Sequence, residues 1–241
     1  MIDFHTHILP GIDDGSRDAD MTDAMLREEK KQGVDFIVAT PHFYAYQMSM
    51  EKFLERRAAA LEQTERLRRK AETPLPSIAA GAEVFYFEGI GRAESIARLC
   101  VEGTRTLLVE MPFEQWSDDV LRDIESLIVR QELKVVLAHV ERYIGFQKNR
   151  RVWDRVMALP LTPQINAGSF LKSGGFFHPN RKRKFCLEFL EEHPYTILGS
   201  DCHNMAGRAP NLASGRTEIA AALGEEELAC IDSATESALM G

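Results

Sequence analysis

The sequence is poor in cysteine, contains no long apolar run and carries no excess of positive charge. Its four cysteines, at positions 100, 186, 202 and 230, form no C-x-x-C pair, so we expect reduced thiols rather than a disulfide framework. No apolar run is long enough to cross a bilayer, and we expect no direct membrane insertion. The net charge of −8 lacks the basic footprint that is typical of nucleic-acid-binding proteins. Composition therefore favours a soluble protein that does not bind nucleic acid.

Two further absences concern the start of the chain and its phosphate-binding motifs. The first residues lack a basic segment followed by an apolar stretch, so nothing resembles a secretory signal and we expect a cytoplasmic protein. The glycine fingerprint that open doubly wound sheets often use to bind phosphates is also missing. We find no repeat and no composition shift that would mark a boundary, and we expect a single domain over residues 1–241.

What the sequence does have is a regular alternation of apolar, β-branched runs with stretches of helical periodicity. The apolar runs predict seven strands, at about 1–5, 35–40, 77–84, 105–111, 134–139, 162–166 and 195–200. The intervening stretches predict helices, including one over 91–99. Such alternation predicts parallel strands, and near-continuous apolar runs predict burial on both faces. An α/β barrel, closed or nearly closed, fits best, with an open doubly wound sheet as the alternative.

Side chains of the kind that bind metals follow nearly every predicted strand. They are His5 and His7, His42, Glu83, Glu110, His139, Asp201 and His203, with Asp14 in the first loop. Active sites of α/β barrels are built at this carboxyl rim. A single rim histidine or carboxylate is more often a helix cap or a solvated residue. Because five of the seven histidines fall at these ends, coincidence is a weak alternative.

The spacing of the first and last pairs supports a shared ion. In His5-Thr6-His7 the two imidazoles would lie on one face of an extended chain, because strand side chains alternate with a period of two. Asp201-Cys202-His203 repeats this geometry with a carboxylate. The H-x-H pattern alone is only moderately specific, whereas its combination with D-x-H after the last strand strongly indicates a metal site.

Six segments, in order, resemble the polymerase-and-histidinol-phosphatase (PHP) superfamily. They are Asp3-Phe4-His5-Thr6-His7, Leu9-Pro10-Gly11-Ile12-Asp13-Asp14-Gly15, Thr40-Pro41-His42, Gly81-Ala82-Glu83, Ala138-His139-Val140-Glu141-Arg142-Tyr143 and Ser200-Asp201-Cys202-His203-Asn204. Within that superfamily the chain is most similar to the bacterial manganese-dependent protein-tyrosine phosphatases of capsule and exopolysaccharide loci, the CpsB/YwqE-like group. The resemblance spans positions 2 to about 210 and implies a distorted (β/α)7 barrel of the TIM type.

The resemblance also implies three metal ions held by nine residues. His5, His7, Glu83 and Asp201 would hold the first ion, a bridging Glu83 with Glu110 and His139 the second, and Asp14, His42 and His203 the third. The choice of Asp14 over Asp13 rests on the resemblance alone. Four carboxylates with neutral imidazoles give −4, so three divalent ions would leave +2, which suits a phosphomonoester dianion. The ligand types suit Mn²⁺, Fe²⁺ or Zn²⁺, and the family implies manganese.

The expected chemistry is attack on phosphorus by a water that the metals activate. Arg142 and Arg208 occupy positions where the family is expected to bind phosphate, since a guanidinium fork fits two phosphate oxygens. A surface ion pair is the alternative. Phe43 and Tyr44 are candidate aromatic walls for a phosphotyrosine ring, with local packing as the alternative. The resemblance implies, as substrate, the phosphotyrosine tail of a membrane-associated bacterial tyrosine autokinase that controls polysaccharide synthesis.

Other activities share parts of this pattern. Cys202 to Arg208 has the C-x5-R spacing of cysteine-dependent tyrosine phosphatases, although nearby carboxylates disfavour a thiolate. Histidinol phosphatase shares fold, metals and reaction, and only the resemblance separates it from the tyrosine phosphatases. A metal-dependent amidohydrolase would leave Glu83, Glu110 and Asp14 without a role. A non-catalytic PHP-like domain should have lost ligands, and none is missing.

Two segments outside these motifs, a glycine-rich loop and a basic run, have both a structural and a functional interpretation. Gly174-Gly175, followed by Phe176-Phe177-His178, predicts a rim loop that could close over the site. Arg181-Lys182-Arg183-Lys184 opens a predicted helix, and such a run is usually a solvated face. Docking of an acidic kinase tail is the second interpretation of this run.

Overall fold

Parallel strands form the centre of the computed structural model, which describes residues 1–172 and 180–240. The strands are β1 (Ile2–Thr6), β2 (Phe36–Ala39), β3 (His42–Phe43), β4 (Ser77–Ala80), β5 (Glu83–Phe85), β6 (Thr106–Glu110), β7 (Lys134–Leu137), β8 (Thr162–Asn166) and β9 (Ile197–Gly199). The α-helices are α1 (Ala19–Lys31), α2 (Met50–Lys70), α3 (Asp118–Val129), α4 (Arg151–Met157), α5 (Arg181–Glu192), α6 (Leu212–Leu223) and α7 (Glu225–Leu239). The predicted loop at 174–178 lies outside the described residues.

The strands form one sheet in the order β1-β2-β4 and a second in the order β3-β5-β6-β7-β8-β9. Every pairing between them is parallel, as the alternation of strands and helices predicts. The chain after β9 returns to β1, where the amide of His7 donates to the carbonyl of Cys202 at 2.9 Å. The result is a mixed α/β fold with a curled parallel sheet, and the contact between first and last strands does not fit the open, doubly wound alternative.

Two positions in the sheet are each formed by a pair of short strands. The predicted run 35–40 contains β2, and β3 follows it after Thr40 and Pro41, because proline has no N–H with which to continue a ladder. The run 77–84 divides into β4 and β5 at Gly81-Ala82. The register is kept across each break, because β2 pairs with β4 and β3 pairs with β5. His42 and Glu83 are therefore the first residues of the strands that follow the two breaks, and they pair with each other.

The predicted helix over 91–99 is wrong. The structure has two short 3-10 turns there, at Ile90–Arg92 and Ile96–Leu99. Gly89 is left-handed, with φ of 83°, and a Cβ on Gly91 would lie 2.6 Å from the carbonyl oxygen of Asp123 in α3. The segment therefore lies flush against α3, where the bulk of an α-helical turn would not fit.

Helix α7 closes the amino ends of the strands. Ala234 and Ala238 of this helix join a buried cluster with Phe4 of β1 and side chains of β2, β6, β7 and β9. Lys134 Nζ, at the start of β7, donates to the carbonyl oxygen of Ser237 at 3.1 Å. With these ends covered, the carboxyl ends of the strands and their loops form the accessible rim. Among the described residues, no helix combines the length and apolar character needed to span a membrane.

Candidate metal centre

A cluster of imidazoles and carboxylates lies at the carboxyl ends of the strands. The structure brings together all nine predicted side chains, namely His5, His7, Asp14, His42, Glu83, Glu110, His139, Asp201 and His203. Seven of them are buried, whereas His42 is partly buried and Asp14 has 66% of its side chain exposed. Buried charged groups are rare unless they are paired or bind a metal. The cluster is therefore the strongest candidate for a functional site in the described part of the chain.

Strand β1 supplies the first group of atoms. His5 Nε2 and His7 Nε2 are 3.2 Å apart, and they lie 3.4 and 3.3 Å from Glu83 Oε2. Asp201 Oδ1 lies 3.7 Å from His5 Nε2 and 3.5 Å from His7 Nε2. Atoms that bind one ion at about 2.1 Å are separated by roughly 3.0–3.4 Å when they are adjacent. The distances among His5, His7 and Glu83 fall in this range, and those from Asp201 are slightly longer, as in a set of side chains arranged around a common centre.

Glu83 connects this group to a second one. Its Oε1 lies 2.9 Å from His139 Nε2, and its Oε2 lies 2.9 Å from His42 Nδ1. Glu110 approaches the same two imidazoles, at 3.7 Å from His139 Nε2 and 3.8 Å from His42 Nδ1. A carboxylate with one oxygen toward each group has the geometry of a bridge.

The third group forms around Asp14. Its Oδ1 lies 3.5 Å from both His42 Nε2 and His203 Nε2. The ring of His7 stacks on that of His203 with centroids 3.8 Å apart. His42 therefore faces Asp14 with one ring nitrogen and Glu83 with the other, a dual placement that the sequence pattern does not predict.

Asp13 has a different place from Asp14. Its Oδ2 lies 2.7 Å from His7 Nδ1 and accepts the backbone N–H of His42 at 3.0 Å, while its Oδ1 accepts the N–H of Gly15 at 2.9 Å. Burial disfavours charge on both partners, yet their mutual attraction holds the pKa of Asp13 at about 2 and raises that of His7 to about 10. Asp13 orients His7, and the sequence pattern did not identify it in this role.

The other histidines are anchored in the same way. Nδ1 of His5 lies 3.0 Å from Gln164 Oε1, Nδ1 of His139 lies 3.1 Å from the hydroxyl of Tyr143, and Nδ1 of His203 lies 3.0 Å from the carbonyl of Asp201. An Nδ1–H held by an acceptor leaves the Nε2 lone pair facing the cluster, which is the arrangement of metal-binding imidazoles. The Nε2 atoms of these rings therefore face the interior of the cluster, which is the orientation that a metal ligand requires.

Strand β8 carries no predicted ligand but supplies a connecting pair. Gln164 Nε2 donates to Asn166 Oδ1 at 2.9 Å, and Asn166 Nδ2 donates to Asp201 Oδ2 at 2.8 Å. Residues two apart on a strand face the same side, so the Q-x-N pattern within this strand was a usable signal. The pair connects His5 to Asp201 across three strands.

Several buried atoms in the cluster have no hydrogen-bond partner among the described residues. They include Glu83 Oε2 and His42 Nδ1, which lie 2.9 Å apart but without the angles of a hydrogen bond, and His203 Nε2. Buried polar atoms are nearly always satisfied, and Nε2 of His5 and Nε2 of His7, which lie 3.2 Å apart and close to Glu83 Oε2, require either a proton or a cation between them. Both observations, together with a donor set of imidazole and carboxylate, fit divalent metal ions.

The backbone is unusual at two of these positions. His139 has φ of 33° and Asp201 has φ of 54°, in the left-handed region that side chains other than glycine rarely adopt. Such strain collects at functional sites, where the surrounding structure holds it in place. Gly199 permits the approach of β9 to His5, because a Cβ there would lie 2.4 Å from the Cβ of His5.

Both predicted arginines contact the cluster. The guanidinium of Arg142 pairs with Asp201 Oδ2, and Arg208 Nη2 donates to Asp201 Oδ1 at 2.8 Å. Their side chains remain 33% and 39% exposed. They therefore border the cluster and face solvent at once, and the ion pairs that they form are with Asp201 of the cluster itself.

The two candidate aromatic residues lie in different surroundings. Tyr44 lines a cavity of about 600 Å³ that also reaches Asp14, His42 and Glu110. Phe43 is 3% exposed and packs on Phe53 in the core, with ring centroids 5.1 Å apart. The expectation that Phe43 contacts a substrate is corrected, because on an extended strand the residue next to His42 faces the opposite side.

Cys202 is unsuited to act as a nucleophile. It is 0% exposed, and its thiol donates to Glu29 Oε1 of α1 at 3.6 Å. Burial and the neighbouring carboxylates Glu29 and Asp3 raise the pKa of this thiol well above its usual range. The C-x5-R spacing in this chain is therefore coincidental.

Comparisons with known proteins agree with this geometry. Residues 1–240 match the model of the CpsB/CapC family, described as capsular polysaccharide synthesis. The chain is 31% identical to the tyrosine-protein phosphatase YwqE of Bacillus subtilis over 86% of this chain and 79% of the relative. It is 27% identical to the tyrosine-protein phosphatase CpsB of Streptococcus pneumoniae over 94% and 93% of the two chains.

A solved structure extends the likeness to three dimensions. It comes from work on YwqE of Bacillus subtilis and CpsB of Streptococcus pneumoniae, described as unique metal-dependent tyrosine phosphatases. It superposes with a TM-score of 0.82 at 26% identity, over 99% of this chain and 92% of the other. Since the family model matches nearly every residue, the chain belongs to the CpsB/CapC family of capsular polysaccharide synthesis.

Proposed function

We propose that this chain is a metal-dependent protein-tyrosine phosphatase that hydrolyses phosphotyrosine by attack of water. The observation that carries the proposal is the buried cluster in which fixed imidazole nitrogens and carboxylates lie at ligand spacing around unsatisfied atoms. Family membership and the two tyrosine-protein phosphatases at 31% and 27% identity favour this activity over histidinol phosphatase.

We assign the ligands of three divalent ions as the family resemblance implies. His5, His7, Glu83 and Asp201 hold the first, Glu83, Glu110 and His139 the second, and Asp14, His42 and His203 the third. The distances of 2.9–3.7 Å between neighbouring atoms within these sets support the assignment. We propose Mn²⁺ as the ion, with Fe²⁺ or Zn²⁺ as alternatives. When bound, such ions lower the pKa of water and neutralise charge on the phosphoryl oxygens.

The chain's own residues position the substrate. Arg142 and Arg208 flank Asp201 from the solvent side, so their remaining N–H groups are available to the phosphoryl oxygens of a ligand at the cluster. Tyr44 and Phe85 pack together, with ring centroids 5.6 Å apart, and form one wall of the adjoining cavity. A flat aromatic ring fits beside such a wall. The phenol of tyrosine has a pKa of about 10, so its departure needs little help from an acid.

Three finer proposals follow from the family. The interrupted strands β2 with β3 and β4 with β5 each count as one barrel position, which supports a distorted (β/α)7 barrel. The substrate we propose is the phosphotyrosine tail of a membrane-associated bacterial tyrosine kinase that regulates capsular or exopolysaccharide synthesis. The protein would meet that tail in the cytoplasm.

A chelation experiment tests the proposal. The purified chain should hydrolyse p-nitrophenyl phosphate and a phosphotyrosyl peptide, lose both activities with a chelator and regain them with Mn²⁺. His5→Ala should be inactive and Cys202→Ser active. Preference for histidinol phosphate over the peptide would instead favour the histidinol phosphatase. Activity that resists the chelator but is lost in Cys202→Ser would overturn the metal mechanism.

A further inference from the structure

A second cavity lies beside the metal centre. It has a volume of about 530 Å³, and Phe113 and Arg142 contribute to its lining. Phe113 also lines the cavity that contains Asp14 and His42. Because one side chain borders both spaces, a ligand bound at the metal centre can extend directly into the second cavity.

The walls of this cavity are largely apolar. Phe113 and Phe146 are 41% and 43% exposed, with ring centroids 5.9 Å apart. Ile144 and Phe185 complete the wall and are partly buried against the core. Phe113 is held from behind by Tyr143, at a centroid distance of 5.2 Å. Exposed apolar side chains grouped beside a polar rim mark binding surfaces, and these are fixed in place.

The rim of the cavity is basic. Arg181 and Lys182, the first residues of α5, line the cavity and are exposed. Neither lies within ion-pair distance of a carboxylate in the described part of the chain. The next two residues of the run differ, because Arg183 pairs with Glu218 at 3.2 Å and Lys184 with Glu188 at 3.5 Å. The run therefore divides into an engaged half and a half that faces the cavity.

Glu141 is the one carboxylate in the described lining, and it offsets this charge only in part, through its interaction with Lys182. Glu141 is 4% exposed, and its Oε1 accepts a hydrogen bond from the hydroxyl of Ser169 at 2.7 Å. Its charge is turned into the protein. A ligand in the cavity therefore meets apolar rings and cationic side chains, a combination that is complementary to an apolar residue next to an acidic one.

We propose that this cavity binds the part of a phosphopeptide substrate next to its phosphotyrosine. An apolar side chain of the peptide packs between Phe113, Phe146 and Phe185, and a neighbouring Asp or Glu pairs with Arg181 or Lys182. The inference rests on the proposed phosphatase function and deepens it, because it names the residues that select among phosphotyrosyl peptides. It also gives a role to the unengaged half of the basic run.

Matched peptides test the proposal with the intact, metal-loaded enzyme. The reference phosphotyrosyl peptide carries a Leu-Asp pair within three residues of the phosphotyrosine, and it is made once with the pair before the phosphotyrosine and once with the pair after it. Three comparison peptides carry Ala-Asp, Leu-Lys or Ala-Lys in place of Leu-Asp. For the wild type we expect kcat/KM to fall about tenfold on loss of the leucine and about fivefold on reversal of the charge. The rate on p-nitrophenyl phosphate normalises each enzyme.

Variants locate the effect. Lys182→Glu should reverse the charge preference, so that the Leu-Lys peptide becomes the better substrate, and Phe146→Ala should reduce the preference for leucine. Lys184→Glu, in the same run but paired with Glu188, is the matched control and should keep the wild-type ranking. Equal kcat/KM for all peptides, or a ranking that Lys182→Glu leaves unchanged, would overturn the subsite. If the wild type hydrolyses no phosphotyrosyl peptide at all, both the subsite and the proposed function fail.

Discussion

Replacement of Asp13 by asparagine tests how much the orientation of His7 contributes to metal binding, because Asp13 contacts His7 and is not itself one of the assigned ligands. The Asp13 carboxylate lies 2.7 Å from His7 Nδ1 and accepts two backbone N–H groups, from Gly15 and His42. Asparagine has the same shape but only one acceptor oxygen. If the asparagine oxygen accepts from Gly15, its NH₂ group faces the N–H of His42. If the oxygen faces His7 and His42 instead, the NH₂ group faces the N–H of Gly15, so one of these contacts is lost in either orientation.

The magnitude follows from the hydrogen bonds that asparagine cannot make. Mutation of a residue that orients a metal ligand typically weakens metal affinity about 10–100-fold, which corresponds to about 1.4–2.7 kcal/mol. At least one buried donor also loses its acceptor, at a cost of about 1–3 kcal/mol in stability. The negative charge that complements the cation is lost as well. We therefore expect Asp13→Asn to bind Mn²⁺ about 10–100-fold more weakly while it remains folded.

Titration of Mn²⁺ into the metal-free protein, followed by calorimetry and by hydrolysis of p-nitrophenyl phosphate, measures this effect. Activity should return at high Mn²⁺, because the ligands themselves are present. Asp20→Asn, on the exposed side of α1, is the matched control and should bind as the wild type does. An unchanged Mn²⁺ affinity in Asp13→Asn would refute the orienting role.

Three further predictions concern stability and phosphate binding. The pKa of Glu29 is raised well above its usual value by burial and by the nearby Asp3. The folded state therefore binds more protons than the unfolded state, and the stability from this group is lost as pH rises from about 4.5 upward. In denaturation experiments between pH 5 and 9, the free energy of unfolding of Glu29→Gln should decline less with rising pH than that of the wild type. Gly199→Ala should lower stability by about 1–3 kcal/mol, because its Cβ would lie 2.4 Å from that of His5, whereas Gly207→Ala, with no atom within 4 Å, should not; equal melting temperatures would contradict this. Arg142→Lys should lower kcat/KM for phosphotyrosyl peptides about 10–100-fold, since lysine cannot form a two-point contact with phosphate, and an unchanged value would remove Arg142 from the site.

Most strands were predictable from sequence because they are buried on both faces. Each apolar run that we predicted overlaps a strand, and β6 is buried at every position, although β4 is only partly buried. The breaks at Pro41 and Gly81 were not predictable, because they depend on the tertiary structure. They change the direction of the chain before His42 and Glu83 while the register between the strands is kept. The failed helix over 91–99 has the same cause, because close packing of Gly91 on α3 overrides helical periodicity.

The clustering of the nine candidate ligands was predictable because the carboxyl ends of parallel strands meet at one rim. What lies behind the ligands was not, since no periodicity distinguishes Asp13, which orients His7, from its neighbour Asp14. Alternation on a strand should have placed Phe43 in the core and Gln164 with Asn166 on the same face. The basic run was ambiguous because its division into engaged and free halves depends on Glu188, a helical turn away, and on Glu218, which is distant in sequence.

The central claim is that the cluster at the strand ends binds the ions that make hydrolysis possible. A crystal grown with Mn²⁺, with anomalous diffraction measured at the manganese edge, tests it most directly. We predict three peaks, each about 2.0–2.3 Å from the atoms of one assigned set, and Glu83 in contact with two of them. If the crystallised enzyme is fully active, but manganese is bound elsewhere and none is bound at the cluster, the account is contradicted.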